Sequence, residues 1–358
     1  MLRILVIRLS SIGDIVHALP AVSALAECLP EAEITWAVEK RYAGLLDENP
    51  CVKRVIPLDT LGWRARWARP RTAREVARTL GELRSRQPDV ALDFQGLVKS
   101  AVIARLSGAR RRIGFGGRWL REPLAATFYT ERAEAEGRQH VVEENFALTE
   151  RLGVRPVSRE RWSFPLARRA DVEERVEGRL AALGAERFVV VNPGGGWMSK
   201  RWAPEKYAEL VRELGQDGQE FILITGSPAE QTMIQEIVTR AGTRGAVYFP
   251  STVSEYIALA RRATLFVGGD TGPLHLAAAV GTPIVAIYGP TSPARNGPFA
   301  PADISLSNQE RTNASGSPPD SHAHWHGARA KNSSYLEGVT VEAVRAAIQQ
   351  RLAVADER

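Results

Sequence analysis

The sequence predicts an α/β protein with two doubly wound domains, each built around a parallel β-sheet. Short apolar runs rich in Val, Ile and Leu alternate with segments of helical periodicity, which is the pattern of βαβ units. The alternation starts twice, before and after a polar, Arg-rich stretch that follows Val154. The 358 residues also correspond to about two domains of typical size. We therefore predict a first domain over residues 1–160, a second over 161–335 and a C-terminal helical segment over 336–358.

The first half continues as strand, loop and helix in turn. The apolar runs predicted as strands are Ile4 to Ile7, Ile34 to Val38, Val52 to Ile56 and Val90 to Leu92. The segments predicted as helices are Ile15 to Cys28, Thr72 to Arg86, Leu97 to Leu106 and His140 to Leu152. The last of these helices closes the first domain, and Pro156 and Pro165 mark the linker that follows it.

The second half repeats this pattern. Its predicted strands are Phe188 to Val191, Phe221 to Thr225, Val247 to Phe249, Leu265 to Val267 and Ile284 to Tyr288. Two such domains are expected to leave a cleft, with ligands beyond the carboxyl ends of the strands. Residues Ser305 to Ser334 are polar without an apolar period and predict a long mobile loop. Val341 to Leu352 predicts an amphipathic helix, whose docking partner the pattern does not identify.

The composition narrows the function classes. There are 47 Lys and Arg against 41 Asp and Glu, a net charge of +6 and a pI of about 9.5. No nucleic-acid-binding signature accompanies this charge, so no nucleic-acid partner is expected. Two cysteines, Cys28 and Cys51, exclude a disulfide scaffold or a Cys-rich zinc site and favour a reducing compartment.

The N-terminus is predicted as a first strand. Arg3 and Arg8 lie within its short apolar run, and the small-residue cleavage pattern of a signal peptide is absent. No segment approaches the roughly 20 uncharged apolar residues needed to span a bilayer. Any membrane contact is therefore expected to be peripheral.

The segment LSSIGD, which ends at Asp14, joins the first strand to the first helix. A carboxylate at this strand end would face a ligand and could act as a base. The more common role of Asp at this position is to cap the helix, since Asp oxygens accept the free amides of a first turn. The residue pattern alone leaves both interpretations open.

A glycine-rich loop, VNPGGGWMSKRW, follows the strand that begins at Phe188. Its glycines would let backbone amides approach an anion, while Lys200 and Arg201 supply positive charge for phosphate. The loop matches neither the P-loop nor the GxGxxG pattern. A plain turn is the alternative.

Two further strand ends carry candidate residues. In VGGDTGPLHLAAA, Pro273 at a helix start would leave the amides of Thr271 and Gly272 to face a phosphate. His275 on that helix is either a buried core residue or a functional one. In TGSPAE, Glu230 could accept hydrogen bonds from a ribose or could complement the helix dipole.

No metal-binding motif accompanies these loops, and metal-free chemistry is expected. The sequence contains no HExxH, CxxC pair or DxD cluster near them. The run His322, His324 and His326 lies in the polar loop, where metal binding would be adventitious.

Several segments together resemble one known family. They are SSIGDIVHALPAVSAL at the N-terminus, DFQGLVKSA from Asp93, REPLA from Arg121, SKRWAPEKY, and GGDTGPLHLAAAVGTPIVAIYGPT. In order and spacing they are similar to the bacterial lipopolysaccharide heptosyltransferases, glycosyltransferase family 9, and most similar to members that add the first heptose. The resemblance covers roughly Leu2 to Pro298 and the final helix.

The resemblance implies a GT-B architecture, in which two Rossmann-like domains face a central cleft. The first would bind the acceptor and the second the nucleotide sugar. The implied reaction moves L-glycero-D-manno-heptose from ADP-heptose to Kdo of Kdo-lipid A, with inversion and without metal or other cofactor. The implied enzyme is a cytoplasmic monomer in peripheral contact with the inner membrane.

The resemblance also assigns residues. Asp14 would be the general base and Lys200 would neutralise the departing diphosphate. In the donor site, Asp270 would bind heptose hydroxyls, Glu230 the ribose, and Ser251, Thr252 and Val253 the adenine. The further donor residues are Gly194, Gly195, Gly196, Ser199, Arg201, Thr271, Gly272 and His275. The implied acceptor residues are Ser11, Gly13, Gln95, Gly96, Lys99 and Arg121.

Two departures from the family pattern stand out. Gly194 to Gly196 replace hydroxyl residues that relatives can carry in the phosphate loop, so backbone amides would make those contacts. Ser305 to Ser334 contains no Cys, whereas relatives often carry a Cys-rich segment there. The alternatives are a relative that adds a later heptose or uses another ADP-sugar, and a non-catalytic nucleotide-sugar binder, against which the retained Asp14 argues.

The positive charge is concentrated in the first half. Leu61 to Arg121 carries a net charge of +11 and the remainder −5. Its cations include Arg64, Arg66, Arg69, Arg71 and the run Arg110, Arg111 and Arg112, with Trp63 and Trp67 as interfacial anchors. This pattern predicts a surface for an anionic, membrane-embedded glycolipid. An ordinary solvated face is the alternative for part of it.

Overall fold

The computed structural model describes residues 1–216, 221–308 and 333–356. The chain divides into two compact units, Met1–Ala167 and Arg168–Arg358. The division falls within the polar stretch after Val154, later than the predicted boundary at residue 160. Contacts of the stretch explain the difference, because Asn49 Nδ2 donates to the Pro165 carbonyl at 2.7 Å and ties it to the first unit.

Within the described residues, the first unit contains a six-stranded parallel sheet in the order β3-β2-β1-β4-β5-β6. Its strands are β1 (Arg3–Ile7), β2 (Glu33–Glu39), β3 (Arg54–Leu58), β4 (Val90–Asp93), β5 (Arg111–Phe115) and β6 (Glu131–Ala133). Its helices are α1 (Ile12–Cys28), α2 (Thr60–Ala65), α3 (Pro70–Ser85), α4 (Val98–Leu106) and α5 (Val141–Glu150). The predicted strands and helices of this half are confirmed to within a few residues at their ends.

The sequence did not predict β5, β6 or α2. The β5 strand begins with Arg111 and Arg112, and β6 is three residues long with two charged side chains, so neither shows an apolar run. Both form because neighbouring strands supply their backbone partners. Pairing across the sheet therefore overrode weak local preference.

The second unit repeats the topology of the first. In the described part of the chain its sheet is also parallel and six-stranded, in the order β12-β11-β10-β7-β8-β9. Its strands are β7 (Phe188–Asn192), β8 (Phe221–Ile224), β9 (Ala246–Tyr248), β10 (Leu265–Gly269), β11 (Ile284–Tyr288) and β12 (Ile304–Ser307). Its helices are α6 (Ala170–Leu183), α7 (Pro204–Gln216), α8 (Gln231–Ala241), α9 (Val253–Arg262), α10 (Gly272–Ala279), α11 (Pro293–Asn296) and α12 (Val341–Asp356).

The start of the predicted loop Ser305 to Ser334 is wrong, because β12 occupies its first residues. This strand pairs in parallel with β11, and Ile304 and Leu306 pack against the core of the second unit. Residues 309–332, including His322, His324 and His326, lie outside the described residues. The end of the segment, Ser333–Leu336, forms a 3-10 turn.

The final helix α12 belongs to the second unit. Val344 and Ile348 are buried in the same core cluster as the strands. Trp202 Nε1 donates to the Val339 carbonyl at 2.9 Å, and Lys206 Nζ donates to it at 2.8 Å. Arg351 pairs with Asp303 at 3.2 Å. These contacts identify the docking partner that the sequence left open.

In each unit the strand order changes direction once, at a place called the switch point of the sheet. It lies between β1 and β4 in the first unit and between β7 and β10 in the second. Ligands of open parallel sheets bind beyond the carboxyl ends of strands at such a point. The loops that follow these strands are therefore where each unit offers a site. In the described residues, no helix combines the length and the apolar character needed to cross a bilayer.

Candidate active site

In the first unit, Asp14 lies in the first turn of α1, beyond the carboxyl end of β1. Its Oδ2 accepts hydrogen bonds from the Ser11 amide at 2.8 Å and the Ser11 hydroxyl at 3.1 Å, so Asp14 does cap its helix. Its Oδ1 pairs with Arg8 and, at 3.1 Å, with Arg121 Nη2. The carboxylate is thus held by two guanidinium groups as well as by its helix.

These guanidinium groups control the charge of Asp14. Burial raises the pKa of Asp14, but Arg8 and Arg121 together with the Ser11 amide outweigh burial and hold that pKa well below its usual value. Burial lowers the pKa of Arg8 to about 10, against the attraction of Asp14. Asp14 and Arg8 are therefore both charged at neutral pH.

Arg8 was not predicted as a site residue. It directly follows β1, is 3% exposed, and donates through Nη1 to the Phe94 carbonyl. A lone cation at the end of a buried apolar strand is the signal that would have identified it.

The predicted acceptor residues lie at the same edge of the first sheet. Ser11 and Gly13 begin α1, Gln95 and Gly96 follow β4, and exposed Lys99 lies in the first turn of α4. Gln95 is joined to the Asp14 loop, because its Oε1 accepts the amides of Leu9 at 2.9 Å and Ser10 at 3.1 Å. The roles of these residues toward an acceptor stay predictions.

Asp93, at the end of β4, is a second residue that the sequence did not single out. Its Oδ1 accepts the amides of Gln95 at 2.8 Å and Gly96 at 3.3 Å, and its Oδ2 accepts the Tyr129 hydroxyl at 2.7 Å. Gly96 has a φ of +67°, a left-handed conformation that glycine adopts without strain. Burial raises the pKa of Asp93, against these hydrogen bonds. Asp93 thus fixes the loop that in turn braces the Asp14 segment.

In the second unit, Lys200 and Asp270 meet at the switch point of the sheet. Lys200 Nζ donates to Asp270 Oδ2 at 2.6 Å, and Thr291 Oγ1 donates to the same oxygen at 2.7 Å. His275 Nε2 lies 3.0 Å from Asp270 Oδ1, and both side chains are buried. Burial raises the pKa of Asp270, but Lys200 and His275 outweigh it and hold that pKa well below its usual value. Thr291, which follows β11, was not predicted as a site residue.

The start of α10 adjoins this cluster. Thr271 is the N-cap residue and Pro273 lies in the first turn, as predicted. The amides of Thr271 and Gly272 have no acceptor within the described residues. A Cβ on Gly269 would lie 2.9 Å from the Lys200 carbonyl, so glycine permits the loop of Lys200 to approach β10 this closely. The arrangement concentrates a cation and a helix N-terminus at one edge of the sheet.

The glycine-rich loop is bound to Glu230. Gly195 N donates to Glu230 Oε1 at 2.9 Å, and the Ser227 amide and hydroxyl both donate to Oε2 at 2.8 Å. Arg201 Nε donates to the Gly195 carbonyl at 2.7 Å. A Cβ on Gly194 would lie 2.3 Å from Glu230, so this contact requires glycine there. Because Gly195 gives its amide to Glu230, Gly194 and Gly196 are the loop glycines left to offer amides to a phosphate.

The remaining predicted donor residues lie at the ends of neighbouring strands. Ser199 is buried beside β11, where a Cβ on Gly289 would lie 2.6 Å from its carbonyl. Thr252 caps α9 in a capping box with Glu255, so its hydroxyl has a structural partner at 2.9 Å. Val253 is 37% exposed. Their contacts with an adenine stay predictions.

The basic surface of the first unit differs in part from its prediction. The prediction that Trp63 is an interfacial anchor is wrong, because this side chain packs against the core of the unit. Trp67 is 80% exposed and Leu61 48% exposed. The arginines of this segment with exposed side chains are Arg64, Arg69, Arg71 and Arg74.

Other arginines of that prediction make contacts within the unit. Arg66 pairs with Asp59 at 2.7 Å, and Arg111 pairs with Glu131 at 2.7 Å. Arg112 donates to the carbonyls of Phe128 at 2.8 Å and Ala109 at 2.9 Å. In the three described ranges, no cluster of His, Cys, Asp and Glu side chains has the composition to hold a metal ion.

Comparison with known proteins identifies the family to which the chain belongs. Residues 76–326 match the profile of glycosyltransferase family 9 (heptosyltransferase). Lipopolysaccharide heptosyltransferase 1 of Pseudomonas aeruginosa is 31% identical over 314 residues, covering 85% of this chain and 83% of that protein. The Escherichia coli K12 protein of the same name is 28% identical over 305 residues, covering 82% and 89%.

A solved structure agrees over nearly the whole chain. The E. coli heptosyltransferase WaaC with ADP has a TM-score of 0.78 and 25% identity, covering 98% of this chain and 100% of that one. The predicted α/β fold with two doubly wound units is confirmed, and so is the resemblance drawn from the motifs. With a profile match over most of its length and a relative above 30% identity, this chain belongs to glycosyltransferase family 9, the heptosyltransferases, and is a glycosyltransferase.

Proposed function

We propose that the protein is a heptosyltransferase of the lipopolysaccharide inner core that moves L-glycero-D-manno-heptose from ADP-heptose to Kdo of Kdo-lipid A. We further propose inversion at the anomeric carbon, independence of metal ions, and action as a monomer at the cytoplasmic face of the inner membrane. Family membership and relatives named lipopolysaccharide heptosyltransferase 1 support the reaction class. The ADP in the WaaC structure supports an ADP-sugar donor.

The observation that carries the proposal is the pairing of Lys200 with Asp270, which directly precedes the N-cap residue of α10. A departing ADP carries its negative charge on the diphosphate, and Lys200 with the amides of Thr271 and Gly272 would meet that charge. Fixed positive groups in a partly buried site need no reorganisation when the bond breaks. They would serve in place of a metal ion.

Asp14 is the proposed general base. It would take the proton of the acceptor hydroxyl as the oxygen attacks the anomeric carbon and the bond to ADP breaks. One displacement with one base inverts the configuration, because no glycosyl-enzyme intermediate intervenes. The position of Asp14 beyond β1, at the switch point of the acceptor unit, supports this role.

The acceptor surface is the proposed site of membrane contact. The segment Leu61 to Arg74 contains five arginines and no acidic residue. It also carries two exposed apolar side chains, those of Leu61 and Trp67. Cations attract anionic lipid headgroups, and exposed Trp side chains partition into the bilayer interface. This combination suits an anionic glycolipid acceptor that is embedded in a membrane.

The test is a turnover assay with purified protein in EDTA. We expect ADP release from ADP-heptose only when a Kdo-bearing acceptor is supplied, and no release from the UDP form of the sugar. An acceptor that already carries one heptose is the control for a later step in core synthesis. Turnover that requires a divalent metal, or that ignores the acceptor, contradicts the proposal.

The Asp14→Asn variant tests the base. Asn keeps the shape of the side chain but cannot take the proton, so turnover should fall by about 10²- to 10⁴-fold. ADP affinity, measured by calorimetry, should stay near wild type because the donor residues belong to the second unit. A large loss of ADP affinity would instead indicate that Asp14 acts only through the fold.

A further inference from the structure

The carboxylate of Asp14 is fully occupied by donors from its own unit. Arg8 and Arg121 share Oδ1, and the amide and hydroxyl of Ser11 share Oδ2. An ionised carboxylate offers about four lone-pair positions, and these donors fill them. An incoming hydroxyl needs one of the positions before Asp14 can take its proton. One of the present partners must therefore leave.

Arg121 is the charged partner best placed to leave. Arg8 is 3% exposed and is also held by the Phe94 carbonyl, and the Ser11 amide is fixed by the capping box of α1. Arg121 lies between the 3-10 turns Gly117–Trp119 and Pro123–Phe128, and its side chain is 17% exposed. The Arg121 side chain is therefore more accessible to solvent than that of Arg8.

Departure of the Arg121 side chain would free a position on the Asp14 carboxylate and would also make that carboxylate a stronger base. A carboxylate held between two cations is a weak base, and removing one cation strengthens it. The other charged or titratable groups placed near Asp14 are Arg8, His17 on α1 and Tyr42. The helix packed along α1 is α5, whose N-cap residue His140 contacts the ring of His17 at 5.9 Å between centroids.

We propose that an anionic group of the acceptor draws Arg121 away from Asp14, so that binding of the correct acceptor vacates Oδ1 and activates the base. The inference rests on the proposed function and concerns how the acceptor substrate activates the base. The anionic group it assigns is the carboxylate of the acceptor sugar acid. The proton of the attacking hydroxyl then passes to Oδ1, the hydroxyl oxygen bonds to the anomeric carbon, and the electron pair of the broken bond leaves with ADP.

The experiment compares two acceptors that differ in this one group. One is a Kdo-bearing glycolipid with its free carboxylate, and the other carries the same carboxylate as a neutral amide. For wild type, we expect kcat on the amide to be lower by about 100-fold, since the base stays blocked and weak. For Arg121→Met and Arg121→Gln, the two kcat values should agree within about threefold, because no cation has to be displaced.

Arg118→Met is the matched control. Arg118 belongs to the adjacent 3-10 turn, and its guanidinium group stacks on the Trp119 ring at 4.7 Å. This variant should keep the wild-type ratio of kcat between the two acceptors. ADP affinity equal to wild type shows that each variant is folded.

The outcomes separate the two proposals. A wild-type enzyme that turns over but differs between the acceptors in KM alone contradicts the inference, since the carboxylate then only binds. Arg121 variants that keep the wild-type kcat ratio contradict it as well, because the effect of the carboxylate then does not pass through Arg121. A wild type with no turnover on the free-acid acceptor overturns the proposed function, and the inference falls with it.

Discussion

Lys200 and Asp270 form an ion pair of 2.6 Å across 70 positions of the chain. They meet because β7 and β10 are neighbours in the sheet and their carboxyl ends lie at the same edge. The Asp270 side chain is 4% exposed and the Lys200 side chain 18%. The cation proposed to receive the diphosphate is therefore already positioned by a buried carboxylate.

Lys200→Met is expected to lower kcat by about 10²- to 10³-fold, because the positive charge at the departing diphosphate is lost. Steady-state kinetics with ADP-heptose and a Kdo-bearing acceptor measures this. Lys206→Met is the control, since Lys206 donates to the carbonyls of Glu337 and Val339 beside the docked terminal helix. Equal losses of turnover in both variants would contradict a specific role for Lys200.

Asp270 is expected to make the second unit sensitive to acid. Folding lowers the pKa of Asp270, because Lys200 and His275 outweigh burial. Such a carboxyl stabilises the fold above its unfolded-state pKa of about 3.9, and this contribution is lost as the pH falls below that value. The stability difference between wild type and Asp270→Asn should thus be large near pH 7, about 3 kcal/mol. It should shrink between about pH 5 and pH 2.

Denaturant unfolding of both proteins across this range measures the difference in the free energy of unfolding. A pH-independent difference would show that Asp270 contributes through packing and not through its charge.

Arg351 is expected to anchor the terminal helix through Asp303. Both side chains are buried, 8% and 2% exposed, and burial raises the pKa of Asp303 against the attraction of Arg351. Arg351→Met leaves that carboxyl buried without its cation and should destabilise the second unit by about 3–5 kcal/mol. Arg345→Met removes an exposed pair with Glu213 at 3.4 Å and should cost about 0–1 kcal/mol. Thermal and urea unfolding compare the two variants, and similar losses would contradict the assignment.

Trp67 is expected to contribute to membrane binding. Its side chain is 80% exposed among exposed arginines, so Trp67→Ala should lower partitioning onto vesicles that contain phosphatidylglycerol, by about tenfold. Sedimentation with vesicles measures the bound fraction, and neutral phosphatidylcholine vesicles test the role of charge. Leu124→Ala, another exposed apolar residue of the first unit at 71%, is the control for general surface hydrophobicity. If Trp67→Ala binds as wild type does, the Leu61 to Arg74 segment is not the contact.

The buried parallel strands were predictable because each is a run of apolar residues with a glycine-rich or polar loop after it. The predictions succeeded for β1, β7 and β11, whose residues are almost entirely buried. They failed for β5 and β12, which lack that signal. Those strands exist because a neighbour offers unpaired backbone groups, and no local pattern records the neighbour.

The candidate site likewise combines features that the local sequence predicts with contacts that only the fold creates. By itself the sequence determined the fold class, the family and the loops that carry chemistry, because strand ends, glycines and charged residues are local features that a pattern can register. Tertiary structure alone decided which side chains meet: Arg8 and Arg121 on Asp14, and Lys200, His275 and Thr291 on Asp270. These partners come from different strand ends, and the order of strands in a sheet sets their distances. The charge of each carboxylate, and hence its chemistry, depends on those distances.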